Sequence, residues 1–159
     1  MPFEHSIKTS SPDETYALGA RLSSFLEAGD TVSLSGSLGA GKTALVRGIA
    51  SGLKVKSHVS SPTFTYLHVH EPEVSGGRTL HHFDVYRLRD ASDFIEHGFD
   101  EQVGGEVISV VEWGDRVRGV LPDPVIDISV TYGEGQDDRI FQIHVPDNRD
   151  MAALMGDCS

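Results

Sequence analysis

The stretch GSLGAGKTAL, residues 36–45, constrains this chain more than any other. Residues 36–43 match G-x-x-x-x-G-K-[ST], and the match lies between TVSLS, which reads as a short strand, and a run with Leu45, Val46, Ile49 and Ala50 at helical spacing. Strand, glycine loop and helix form the setting in which that pattern makes a phosphate cradle. Glycines let successive backbone N–H groups converge on phosphate oxygens, and the helix N-terminus adds positive potential. The predicted contacts are Gly36, Ser37, Leu38, Gly39, Ala40, Gly41, Lys42, Thr43 and Ala44, with Lys42 neutralising the β and γ phosphates and the Thr43 hydroxyl on Mg²⁺. A glycine-rich turn with a chance lysine is the blander account, and the length and placement of the pattern argue against it.

Around this loop the chain reads as a single α/β domain over residues 1–148, with a flexible tail over 149–159. Ser11-Pro12-Asp13-Glu14 has the form of an N-cap, a proline in the first turn and following acids, which predicts a helix to about Ala28. Its core face carries Leu18, Leu22, Phe25 and Leu26. Residues 63–70 and 78–86 are rich in β-formers and read as an antiparallel pair. Short helical turns follow over residues 91–97 and 100–103. Val107, Ile108, Val110 and Val111 make an almost unbroken apolar run, the mark of a strand buried on both faces. Residues 125–132 and 139–145 predict a closing hairpin.

Composition narrows the functional classes. Thirteen Lys and Arg against twenty-four Asp and Glu give a net charge of −11, so the surface repels nucleic acid and anionic membrane, and any RNA role goes through a partner. The single cysteine, Cys158, supports neither a disulfide framework nor a thiolate zinc site, in keeping with a reducing cytoplasmic compartment. No apolar run approaches a membrane span, and MPFEHSIKTS lacks the basic start and apolar stretch of a signal peptide. A soluble protein is expected.

A phosphate cradle needs a second metal handle, and α/β sheets place it at the carboxyl end of a buried strand. Glu112 ends the VISVV run and Asp84 ends the strand holding Leu80, His82 and Phe83. One carboxylate is expected to hold Mg²⁺ while the other orients the attacking water; their order stays open. GSLGAGKTALVRG, SSPTFTY, HHFDVYRL and VISVVEW, in that order and at these separations, resemble the bacterial TsaE (YjeE) family. The resemblance implies a P-loop NTPase-like three-layer sandwich with a central mixed, largely parallel sheet and a β-hairpin insertion. It also implies an Mg²⁺-dependent ATPase, slow alone, that works with TsaD and TsaB to install threonylcarbamoyl on the tRNA adenosine next to the anticodon. On that resemblance Lys42, Asp84 and Glu112 are catalytic and Thr43, Glu112 and Asp84 hold the metal. Thr63, in Ser61-Pro62-Thr63, matches a nucleotide-sensing segment, although X-Pro also commonly opens an extended run. Trp113 lies beside the nucleotide or a partner, or packs in the core; Arg87 charges the phosphate site or makes a surface ion pair.

The family usually carries Asp at the position of Ser37 and commonly a second Thr at that of Ala44, neither a defining letter of the cradle. His68, His70, His81 and His82 gather on the expected hairpin, but strand alternation sends His81 and His82 to opposite faces. His68 and His70 share a face without a third ligand evident, so they are taken as polar strand residues rather than a transition-metal site. Two other classes fit a P-loop of this size. A small-molecule kinase normally needs an arginine-bearing lid, and no such segment is evident; a nucleotide-regulated scaffold would hydrolyse only incidentally. A GTPase is disfavoured because no Asn-Lys-x-Asp motif is present.

Overall fold

In the computed structural model, residues 3–36, 41–56 and 66–146 are described. Three features of local chemistry start the fold: a cap, an alternation and a glycine contact. Strand β1 (Phe3–Thr9) leads into helix α1 (Pro12–Ser23). Ser11 caps that helix, its Oγ accepting from the Glu14 N–H at 3.1 Å, while Glu14 Oε1 accepts from the Ser10 N–H at 3.2 Å. The helix ends at Ser23, short of Ala28, because the backbone tightens into i→i+3 bonds from Phe25 to Leu22 and from Leu26 to Ser23. The expected face survives this: Leu18, Leu22 and Leu26 are buried and Phe25 packs against them.

Next come β2 (Thr31–Gly36), α2 (Lys42–Leu53), β3 (Leu67–His70), β4 (Leu80–Asp84) and α3 (Ala91–Glu96). After a 3-10 turn at Phe99–Glu101, β5 (Ile108–Glu112) runs into a second 3-10 segment, Gly114–Val120. The hairpin of β6 (Val125–Tyr132) and β7 (Arg139–Val145) closes the chain as the sequence predicts. One seven-stranded sheet holds them in the order β1-β7-β6-β2-β5-β4-β3. The central strands β6, β2, β5 and β4 are parallel; β3 pairs antiparallel with β4, and β1 and β7 extend the other side antiparallel. The β1 strand was not foreseen, since an edge strand of seven residues gives only a short alternation to read.

Side-chain alternation sorts the sheet into two cores. Val32, Leu34, Val110, Ile126, Ile128, Phe141 and Ile143 pack with Leu18 and Leu22 of α1 and Leu45, Val46 and Ile49 of α2. On the other side Phe83, Val111 and Val125 pack with Phe94 of α3 and with Val103, Val117 and Leu121. The result is three layers, as expected for this fold class. Helices α1 and α2 meet at glycines: a Cβ on Gly48 would lie 2.1 Å from the Tyr16 carbonyl oxygen, and one on Gly19 2.3 Å from that of Leu45. The contact fixes where α2 starts relative to the sheet. Ser37, Leu38, Gly39, Ala40, the Ser61-Pro62-Thr63 segment and the tail with Cys158 lie outside the described residues.

Candidate nucleotide site at the carboxyl edge of the parallel strands

Strand register assembles the site. Leu34 of β2 lies opposite Glu112 of β5, and Glu112 lies opposite Asp84 of β4, so β4 and β5 end level and β2 runs on past them to Gly36. Both acids and the start of the glycine loop therefore share one edge of the sheet. At the mouth of the loop Gly36 has φ 141°, and a Cβ there would lie 2.3 Å from the Val130 carbonyl oxygen. Gly41, with φ 96°, is the N-cap of α2, a conformation that side-chain-bearing residues rarely adopt. The loop is thus pinned at both ends by positions that require glycine.

Lys42 opens α2 and is only 4% exposed. Its Nζ donates to the Gly36 carbonyl at 2.9 Å and lies 3.8 Å from the centroid of the Trp113 ring. Burial lowers its pKa, opposed by the negative charges of Glu112, Asp84 and Asp115. Thr43 follows it, half-buried in the first turn, and Ala44 lies beside Gly41, Thr15 and Arg139 in a small groove. Asp84 is half-buried, and burial raises its pKa; the Tyr86 N–H, donated to Oδ1 at 3.1 Å, opposes that rise and Glu112 adds to it. Ser35 Oγ donates to Asp115 Oδ1 at 3.2 Å on the same edge. A buried ammonium facing three carboxylates leaves an excess of acid, which suits a divalent cation, and the ammonium itself suits a phosphate.

Trp113 packs in the core, one of the readings expected for it. Its ring lies under Lys42 and also packs against the second core and the Tyr86 ring, 4.9 Å away. Its backbone has φ 64°, and its N–H donates to the Leu34 carbonyl at 2.7 Å, so the chain turns sharply just after Glu112. Arg87 is exposed and makes no ion pair with another described residue. Arg116 adds a cation beside Lys42 at this edge, 5.4 Å from the Tyr86 ring and 5.8 Å from the Trp113 ring, with Nη1 donating to the Leu88 carbonyl at 3.1 Å. Nothing in the local pattern GDRVRG marks it, because a 3-10 segment has no strong periodicity.

The histidines divide as alternation requires. His81 turns one way and meets the Gln102 carbonyl through Nδ1 at 2.8 Å. His82 turns the other way, is fully buried, and places Nε2 2.5 Å from Glu112 Oε2. His82 is therefore no ordinary polar strand residue: thirty residues of chain separate it from the acid it touches, a distance no local pattern reports. His68, His70 and His82 gather on one face with ring centroids 6.1 to 6.5 Å apart. Among the described residues no group of three His, Cys, Asp or Glu is arranged to hold a metal ion, and no helix is long and apolar enough to cross a membrane.

A family model described as Threonylcarbamoyl adenosine biosynthesis protein TsaE matches residues 9–141. The chain is 50% identical over 131 residues to the tRNA threonylcarbamoyladenosine biosynthesis protein TsaE of Streptomyces coelicolor, covering 72% of this chain and 87% of that one. It is 35% identical over 142 residues to the protein of the same name from Bacillus subtilis, covering 89% and 86%. The crystal structure of Bacillus subtilis YdiB superimposes with a TM-score of 0.71 at 27% identity, covering 99% of this chain and 95% of that chain. With the family model matched over residues 9–141 and the relatives covered over most of their length, this chain belongs to the TsaE family.

Proposed function

We propose that this protein is a magnesium-dependent ATPase that sustains threonylcarbamoyladenosine modification of tRNA, next to the anticodon, as an accessory subunit to TsaD and TsaB in the cytoplasm. The observation that carries the reading is a single one. Lys42, held at the first position of α2, faces Asp84 and Glu112 at the level ends of two parallel strands. The names of the relatives, which concern tRNA threonylcarbamoyladenosine biosynthesis, support the pathway. The net charge of −11 supports action through partners rather than by direct grip on tRNA.

Magnesium ATP, when bound, supplies the γ-phosphoryl group and a divalent charge that offsets the negative charge shared among its oxygens. Lys42 exchanges the Gly36 carbonyl for phosphate oxygens, and burial strengthens that attraction by excluding water. The Thr43 hydroxyl and one of the two carboxylates hold the metal, while the other carboxylate orients water. Asp84, its pKa raised by burial, is suited to accept a hydrogen bond from that water, and Glu112 to hold the metal, although the opposite assignment uses the same atoms. The Ser61-Pro62-Thr63 segment, which the family resemblance marks as nucleotide-sensing, would relay loss of the γ-phosphate to a partner. Because such catalysis is largely positioning, a partner that completes the site raises the rate.

Phosphate release by the purified chain, alone and with TsaD and TsaB, tests this directly. Lys42→Ala, Asp84→Ala and Glu112→Ala are each expected to lower hydrolysis by roughly 10²-fold or more while cooperative unfolding is kept. Many-cycle tRNA modification should require the wild-type chain with ATP. Hydrolysis that leaves modification unaffected would break the pathway assignment, and wild-type turnover in Asp84→Ala would remove that acid from the mechanism. A phosphorylated small molecule in place of free phosphate would establish a kinase instead.

A further inference from the structure

Strand β4 carries Leu80, His82 and Asp84 on one face, and β5 carries Ile108, Val110 and Glu112 on the same side. His82 lies one step further from the edge than Asp84, and its ring reaches diagonally across to Glu112. Both side chains are buried, His82 fully and Glu112 at 4% exposure. Nε2 stands 2.5 Å from Oε2, while Nδ1 is buried with no hydrogen-bond partner among the described residues.

These contacts call for a proton on Nε2. A ring protonated on Nδ1 alone would set two lone pairs against each other at Nε2 and Oε2 and would also bury an unused donor. A proton on Nε2 removes that clash and is donated to the carboxylate.

Stability does not account for the pair. A buried histidine and carboxylate gain little over apolar side chains of similar volume, and Leu80 shows that this face of β4 accepts one. What the pair does achieve is orientation. Glutamate has three side-chain torsions, and a bond at Oε2 removes most of their freedom at the point where the chain turns through Trp113.

We propose that His82 is a positioning residue for the nucleotide site, its Nε2–H holding Glu112 by Oε2 so that Oε1 is the oxygen presented to metal or water. The proposal rests on the ATPase reading for its consequence and on this chain's own geometry for its cause. His82→Leu removes the donor, and His82→Gln restores one at nearly the same reach. The expected result is a 10- to 100-fold lower kcat in His82→Leu with KM for ATP within about twofold, and recovery of most of the loss in His82→Gln. Calorimetry should show the same ATP affinity without magnesium and a smaller magnesium-dependent gain in His82→Leu. Nitrogen-15 NMR of the nucleotide-free wild type should show His82 protonated at Nε2.

The NMR measurement needs no nucleotide, no variant and no activity, so it decides the hydrogen bond even if the ATPase reading fails or His82→Leu does not fold. An Nε2 without a proton, equal turnover in all three proteins, or equal loss in both variants alongside a lowered melting temperature would each overturn the proposal.

Discussion

The two sides of the sheet treat burial differently. In the antiparallel wing of β1, β7 and β6 the buried positions are almost wholly apolar, with Ile7, Ile128, Val130, Phe141, Ile143 and Val145 against α1 and α2. Thr9 is the polar exception, and it is satisfied by the Thr15 hydroxyl at 2.7 Å. The opposite face of the wing is polar and open, with a groove of about 400 Å³ lined by Ser33, Ser35, Asp127, Ser129 and Gln142 among others. At the carboxyl edge of the parallel block, by contrast, Lys42, His82 and Glu112 are buried together. Apolar burial stabilises at about 25 cal/mol per Å², whereas a buried charge costs free energy unless paired. The wing holds the fold; the edge gives up stability to keep charges together where the proposed nucleotide would meet them.

The sharpest way to break that contrast is to weaken the wing. Phe141 is fully buried, and Phe141→Ala is expected to cost about 3–5 kcal/mol of unfolding free energy. Denaturant titration measures the loss, and turnover per folded molecule should be retained at low temperature. A small loss of stability would mean that the wing is not the main support.

The joint between the halves comes next. Gly48→Ala gains about 1 kcal/mol of helix propensity, but its new Cβ would meet the Tyr16 carbonyl at 2.1 Å. Overpacking of this kind costs about 1–3 kcal/mol, and backbone cannot move aside as a flexible side chain does. Net destabilisation in thermal unfolding is the expected result, together with weaker ATP binding as α2 shifts Lys42. A higher melting temperature would show that the helix crossing is slack.

The smallest effect sharpens the contrast from the other side. Asp84→Asn keeps an oxygen for the Tyr86 N–H but removes a charge that burial and Glu112 disfavour. The sign follows from the raised pKa: near neutral pH the folded state pays for ionising this group more than the unfolded chain does. The variant should therefore be slightly more stable, while hydrolysis is lost. Calorimetric unfolding checks the first and phosphate release the second. A lowered melting temperature would show that the hydrogen bond at Asp84 outweighs the cost of its charge.

Much of the site was legible before the fold. The glycine spacing of residues 36–43, the capped start at Ser11 and the apolar run ending on Glu112 are local signals, each contained within one element and its flanks. With the strand end at Asp84 they mark Lys42, Thr43, Asp84 and Glu112 as candidate site residues, the family resemblance adds Trp113, and the fold brings these to one edge. Arg116 and the true surroundings of His82 were not legible. A residue in a 3-10 segment follows no strong period, and a histidine on a strand reads the same whether it meets solvent or a buried acid.

By itself, the amino-acid sequence determined the loop, most of the helices and strands, and the family, because capping, glycine conformation and side-chain periodicity act over a few residues. Only the tertiary structure decided the strand order, the pairing of β1 with β7, the placement of Lys42 over Trp113 and the bond from His82 to Glu112. Each of these joins segments far apart along the chain, and which distant surfaces meet depends on how all the apolar faces are buried at once rather than on any one segment's pattern.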